Sequence, residues 1–495
     1  MFDRLPVDVQ LKVLLHSSKT YGQASDTICS QEWKHDLRFL AICRGLRTAV
    51  VGILYRTVFL HIDNTCHVRP SQVGFKGRSH HIIHRSNVDL IEANGLCGLV
   101  RRADIDVTRK ATAAVRLKCL VHAITKEFVE DKDVQMAAIR AMSLFAQRFS
   151  RVNEIGLCFF DTSGKMVSTL HALCSQFADE LRAVTYRSRV YFRQPLKFTR
   201  VERLHIRVDS NDQLQTLIVD PRELRYFKLH MVFHRLDWLQ VFGGNNGTST
   251  VVFPNLEELD IWAVSYIQGR FGRNPQMPCT LSFPRLRTLA ISSAQLEDHV
   301  AQALLQSPVA HLRLSSPIDE IIRISRLGIS KLTSLSVRPS FEYSETSQSA
   351  TEKVNQLMRL AQGIPYVRMQ LDTRPTQCDF GSARWPHLTH LRCSGIVELD
   401  KVLANVEKMP DLVCLELMVG AWRGDGTNEG LFFKTMGLNY TAPFVSRLEY
   451  LRIAEHRLVV DRAIRSAKDT IRELFPCLKS IVLNDEVLWN KHEQA

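Results

Sequence analysis

From about residue 200 onward, apolar residues recur along this chain in one phrase, L-x-x-L-x-L. It reads Val201-x-x-Leu204-x-Ile206, Leu224-x-x-Phe227-x-Leu229, Leu256-x-x-Leu259-x-Ile261, Leu286-x-x-Leu289-x-Ile291 and Val309-x-x-Leu312-x-Leu314. It continues as Leu332-x-x-Leu335-x-Val337, Leu388-x-x-Leu391-x-Cys393, Leu412-x-x-Leu415-x-Leu417, Leu448-x-x-Leu451-x-Ile453 and Leu478-x-x-Ile481-x-Leu483. The end of each copy alternates apolar and polar residues with period two, which predicts a strand with one buried face. Several copies are introduced by an apolar residue and proline: Phe253-Pro254, Phe283-Pro284, Trp385-Pro386, Met409-Pro410 and Phe475-Pro476. Proline there is expected to end a preceding helix before the strand begins. Between the phrases, residues 297–306, 352–362, 398–408 and 461–474 carry apolar positions at three- to four-residue spacing and predict helices.

Strand and helix therefore alternate in an α/β chain. A doubly wound sheet would alternate too, but its strands would be near-continuous apolar runs. The repeated phrase instead predicts an irregular leucine-rich-repeat solenoid, in which each unit buries its leucines by stacking on its neighbours. Spacing between most phrases runs from roughly 20 to 36 residues, so curvature is expected to be uneven. Residues 63–200 read as a transition into the array, with early degenerate strands at 99–107 and 155–159 and helices at 111–149 and 165–184. The expected organisation is a helical module at 1–62, the transition at 63–200 and the array at 201–495.

The N-terminal module begins Leu5-Pro6-Val7-Asp8-Val9, with proline where a first helical turn tolerates it and Val9, Val13 and Leu14 on one apolar stripe. A second helical stretch holds Leu37, Leu40, Ile42, Cys43 and Leu46, and residues 48–56 run into the strand-like segment 57–62. These residues, LPVDVQLKVL followed by DLRFLAICRGLRTAVVGILYRTVFL, resemble the F-box, in the form found at the front of fungal F-box proteins with leucine-rich repeats. The resemblance implies a small helical bundle that docks on the Skp-family adaptor and, through it, on a cullin scaffold. Leu5, Pro6, Val9, Val13, Leu14, Leu37, Leu40, Cys43 and Arg44 would then form or support that interface. The same amphipathic pattern would also suit a plain helical cap on the array.

Composition narrows the partners. A formal net charge of +13 favours an acidic partner without choosing among nucleic acid, membrane surface and acidic protein. The 12 cysteines include no C-x-x-C pair, which points to reduced thiols in the cytoplasm or nucleus rather than a zinc ribbon or disulfide framework. No signal peptide or membrane-length apolar run is apparent, so no membrane role is expected. The glycine-rich stretch 424–430 lacks both the dinucleotide and the P-loop pattern and reads as an inter-repeat loop. His80, His81 and His84 lack a fourth metal ligand and read as part of a solvated basic loop at 76–85. No catalytic residue, metal or cofactor is expected.

Period-two alternation sends the residues between the leucines to the array's concave face. Arg203, His205, Arg207, Lys228, His230, Trp262, Arg313, Arg338, Arg392 and Arg452 become candidates for holding a target, because arginine pairs bidentately with carboxylate or phosphate. The loops at 241–251, 265–280 and 420–443 are a second candidate surface. The expected function is target recognition in an SCF-type ubiquitin ligase, with an acidic or phosphorylated target. A repeat scaffold without ubiquitylation is the alternative. Nucleic-acid binding ranks last, since no base-reading module is present.

Overall fold

The computed structural model describes residues 56–62, 67–70, 80–83, 85–107, 113–127, 129–130, 132–159, 164–188, 196–208, 217–231, 250–263, 280–292, 298–329, 331–341, 347–370, 384–395, 406–419, 446–455, 465, 468–469 and 471–491. The expected adaptor-docking residues, from Leu5 to Arg44, lie outside the described residues, as do the loop at 424–430 and most of the three long insertions. The protein is mixed α/β with long parallel sheets, and its contacts divide it into two units that meet in sequence at Asp220 and Pro221.

The first unit contains strands β1 (Thr57–Ile62), β2 (His67–Pro70), β3 (His80–Ile83) and β4 (Arg85–Ser86), then helix α1 (Val88–Ala93) and strand β5 (Arg102–Val107). Helices α2 (Ala113–Thr125) and α3 (Val134–Arg148) lead to β6 (Glu154–Phe159), and α4 (Gly164–Phe177) leads to β7 (Ala183–Ser188). The unit closes with β8 (Leu196–Phe198), β9 (Arg203–Val208) and β10 (Leu217–Val219). Strands β1, β5, β6, β7 and β9 pair in that order, all parallel. Their register aligns Val58, Ala103, Ile155, Val184 and Leu204 in one row and Leu60, Ile105, Leu157, Tyr186 and Ile206 in the next. Every member of both rows is buried.

The second unit contains β11 (Tyr226–Met231), β12 (Thr250–Val252), β13 (Glu258–Ala263), β14 (Thr280–Ser282) and β15 (Thr288–Ser292). Helix α5 (Asp298–Gln306), β16 (His311–Ser315), α6 (Ile318–Arg326), β17 (Ser334–Val337), α7 (Ser347–Leu360) and β18 (Tyr366–Gln370) follow. The last strands are β19 (His390–Gly395), β20 (Cys414–Val419), β21 (Tyr450–Glu455), β22 (Ser480–Leu483) and β23 (Glu486–Asn490). Setting aside the short side pair β12–β14, β11 to β22 form one parallel ladder in chain order. An antiparallel β23 lies against β22. A doubly wound sheet reverses direction at a switch point, where its ligand crevice forms. Among the described strands of this unit the order never reverses.

Burial follows the phrase. The leucine-type residues of adjacent strands sit opposite one another, as Leu312, Leu335, Val367, Leu391 and Leu415 do, and each is at most 5% exposed. Full burial of each such side chain is worth about 1.5–3 kcal/mol relative to exposure, so the ladder is held chiefly by its own stacking. The entry to each strand repeats a backbone motif in which one carbonyl accepts two successive N–H groups from the next repeat. Arg287 O takes Ala310 and His311, Ala310 O takes Thr333 and Ser334, and Thr389 O takes Val413 and Cys414. Only Tyr366 donates to Thr333 O, at 3.2 Å, because Pro365 before it has no N–H.

All ten phrases end in strands, and the residue before each introductory proline is core: Phe253, Phe283, Trp385, Met409 and Phe475 are all at most 2% exposed. The expected role of that proline needs correcting at two sites. Strands β12 and β14, not helices, precede Phe253-Pro254 and Phe283-Pro284, and the two phenylalanines stack at 5.1 Å between ring centroids. Residues 80–83 form a strand paired antiparallel with β2 rather than a loop. The helix expected over 111–149 is two helices, since Lys126 adopts φ 64°, a left-handed conformation that ends α2. The helix expected to reach residue 184 stops at Phe177, and Leu181-x-x-Val184-x-Tyr186 serves as another strand phrase.

Candidate functional site

Alternation within each strand creates an outward face opposite the buried rows. In β16, Leu312 and Leu314 are buried, while His311 and Arg313 are exposed. All ten candidate target-binding residues lie on this kind of face. Arg203, His205 and Arg207 are on β9 in the first unit. Lys228 and His230 are on β11, Trp262 on β13, Arg313 on β16, Arg392 on β19 and Arg452 on β21 in the second. Arg338 directly follows β17, its N–H bonded to Leu314 O at 2.7 Å.

The expected basic row is not uniform, because several cations face an acid on the same strand, a nearby strand or a turn. In the first unit Glu154 receives Arg203 at 2.7 Å and Arg56 at 3.2 Å. Arg102 donates to both carboxylate oxygens of Asp104, at 2.9 and 3.1 Å. Gly156, opposite Asp104 in the register, leaves the space that this carboxylate occupies. In the second unit Lys228 pairs with Asp260 at 3.3 Å, Arg392 with Glu416 at 3.3 Å, and Arg452 with Asp485. The rings of His230 and Trp262 meet edge-on. Exposed pairs of this kind contribute only about 0–1 kcal/mol to stability, but each places a carboxylate in competition with an incoming anion.

Arg368, on the outward face of the second unit, escaped the sequence reading. Arg368 lies on β18, in register with Ser336 of β17 and Arg392 of β19. Its strand carries the degenerate phrase Ile364-x-x-Val367-x-Met369, which contains no leucine but keeps the burial pattern. Matching apolar character instead of leucine itself would have found it.

The outward face of the first unit also carries a thiol. Cys158, in register with Asp106 and Arg187, has its thiol pushed up to about 12 by burial, then by the Asp106 carboxylate and a hydrogen bond to it. A thiol so held stays protonated and is a poor nucleophile. Among the described residues no three His, Cys, Asp or Glu side chains are grouped to hold a metal, and no helix is long and apolar enough to cross a membrane. A cleft of about 400 Å³ near the C-terminus is lined by Arg472, Phe475, Leu478, Trp489 and Lys491 among others, with Asp469 and Glu473 balancing the cations. The arrangement of the described face suits binding across a strand ladder.

Against known proteins, the chain matches no family model and no curated sequence.

Proposed function

We propose that this chain is the substrate-recognition subunit of an SCF-type cullin ubiquitin ligase. On this reading an N-terminal F-box docks on the Skp-family adaptor through Leu5, Pro6, Val9, Val13, Leu14, Leu37, Leu40, Cys43 and Arg44. An irregular leucine-rich-repeat solenoid then holds the target protein on its outward strand face. The work is done in the cytoplasm or nucleus and needs no catalytic residue. Its contribution is proximity, which raises the target's effective concentration beside a ubiquitin-conjugating enzyme brought by the complex.

The observation that supports the array is the one-directional ladder from β11 to β22, with leucine-type residues stacked inward at every step and mostly polar residues outward. The adaptor role rests on the F-box resemblance of the N-terminal residues. Co-purification with the Skp-family adaptor tests it, followed by the same experiment on Leu5→Ala with Pro6→Ala. Loss of the adaptor from a folded double variant is expected, and full-strength binding would overturn the interface assignment. If wild-type protein brings down partners but no adaptor, the ladder serves a scaffold without ubiquitylation.

A further inference from the structure

The cleft of about 400 Å³ at the C-terminal end of the second unit is built from three segments. They are the helical residues 469 and 471–474, the Phe475-Pro476 entry that leads through Leu478 to β22, and the end of β23 at Trp489 with Lys491 just beyond it. Phe475, Leu478 and Trp489 are each at most 9% exposed and give the cleft an apolar floor. Four charges line it, and two of them satisfy each other: Arg472 donates to Asp469 at 3.0 Å and lies over the Trp489 ring. The other two, Glu473 and Lys491, are exposed, and neither has an ion pair among the described residues. The backbone of Lys491 is anchored, since its N–H donates to Lys479 O at 2.9 Å, and the nearby Lys479 ammonium is already taken by Glu449 at 2.8 Å. The Nε1–H of Trp489 is buried without an acceptor. One carboxylate, one ammonium and an apolar floor are therefore left for a ligand.

We propose that this cleft binds a free α-amino acid with an apolar side chain. The ligand's ammonium pairs with Glu473, its carboxylate pairs with Lys491, and its side chain lies against the apolar floor. Charge balance selects this class. A simple anion drawn to Lys491 would share a small space with the carboxylates of Asp469 and Glu473, and a simple cation drawn to Glu473 would share it with Arg472 and Lys491. A zwitterion offsets both signs at once. Size selects it too, because small-molecule sites run from about 300 to 1,000 Å³ and this cleft stands near the lower end. Walls of low polarity strengthen both ion pairs relative to pairs on an open surface. A ligand held from both sides joins the helical residues to the end of β23, the strand that closes the ladder, so occupancy stabilises that end of the array. The inference is independent of the ligase reading.

The test is equilibrium dialysis of the full-length protein against radiolabelled L-leucine and, separately, L-phenylalanine, with the N-acetyl and amide derivatives of each as unlabelled competitors. Saturable binding of one ligand per chain is expected for at least one of the two amino acids. Its N-acetyl derivative lacks the ammonium and its amide lacks the carboxylate, so each should compete about tenfold or more weakly. Lys491→Gln should weaken the amino acid about tenfold and leave the amide unchanged, and Glu473→Gln should weaken it about tenfold and leave the N-acetyl derivative unchanged. Both side chains are exposed, so neither change removes packing, and Arg140→Gln on the exposed side of α3 should have no effect. The amino acid should also raise the unfolding temperature of the wild type and not that of K491Q/E473Q. Absence of saturable binding by either amino acid up to about 10 mM overturns the proposal. Competition by a blocked derivative at the strength of the parent amino acid overturns it as well, as does full-strength binding by K491Q/E473Q.

Discussion

Asp104 and Gly156 face each other across β5 and β6, and the Asp104 carboxylate occupies the space where a side chain on Gly156 would stand. A Cβ there would lie 3.2 Å from Asp104 Cγ and well inside contact distance of Oδ1. Gly156→Ala should therefore turn Asp104 away from Arg102 and cost about 1 kcal/mol, the worth of a part-buried ion pair through one shared Nε–H plus some repacking. A double-mutant cycle in urea checks this. With Asp104→Ala already present, Gly156→Ala should cost much less, and additive effects would rule the relationship out.

Asn87 directly follows β4, which pairs antiparallel with β1, and continues that edge with its side chain. Its side-chain oxygen accepts from Phe59 N–H at 2.8 Å, and its amide donates to Thr57 O at 2.9 Å. The residue is 5% exposed, so Asn87→Ala leaves two backbone groups short of a partner and should cost about 2 kcal/mol or more. Asn87→Asp keeps the acceptor and loses the donor, and should fall between the two. Denaturation midpoints of the three proteins give the order.

Cysteine reactivity should rank by environment. Burial alone pushes the Cys174 thiol up to about 12, and burial with the Asp106 carboxylate does the same for Cys158, while Cys477 is exposed. Iodoacetamide at pH 8 followed by peptide mapping should label Cys477 well before either. The folded pKa of Cys158 is raised, so the linked stability is complete below the ordinary thiol range near about 8.5 and declines as pH rises toward the folded value. Wild-type protein should therefore lose stability relative to Cys158→Ala between pH 8 and pH 10. A constant difference over that interval would contradict the assignment.

Trp489 ends the second unit's ladder. It lies on β23 against β22, is 9% exposed, and has the Arg472 guanidinium 4.7 Å from its ring centroid. Trp489→Ala should cost about 3–5 kcal/mol through the cavity it leaves. Arg472→Ala should cost about 0.5–1 kcal/mol through loss of the cation–π contact. Thermal unfolding of each variant measures both, and equal small effects would mean that β23 folds apart from the ladder.

Much of this architecture is legible in a single chain. The phrase located ten strands and the buried residue before each introductory proline, because a half-buried strand and a core turn impose local period and composition. Reading leucine too literally hid β18, where Ile364, Val367 and Met369 do the same work, and with it Arg368. Helix α6 was also passed over, although Ile318, Ile321, Ile322 and Ile324 form its buried side. The split between α2 and α3 turns on the left-handed Lys126, a conformation that composition does not announce.

Side-chain direction followed from alternation alone, and so the outward cations could be named before any coordinates. Which of them meets an acid could not. Lys228 and Asp260 are brought side by side across 32 positions of sequence, and Arg392 and Glu416 across 24, by strand register. That register is set by the stacking of leucine rows and the shared carbonyls at each strand entry, interactions between repeats separated by loops of unequal length. Local pattern determines that a residue faces outward. Only packing between repeats decides that Arg313 and Arg368 flank a serine while Arg392 faces a carboxylate.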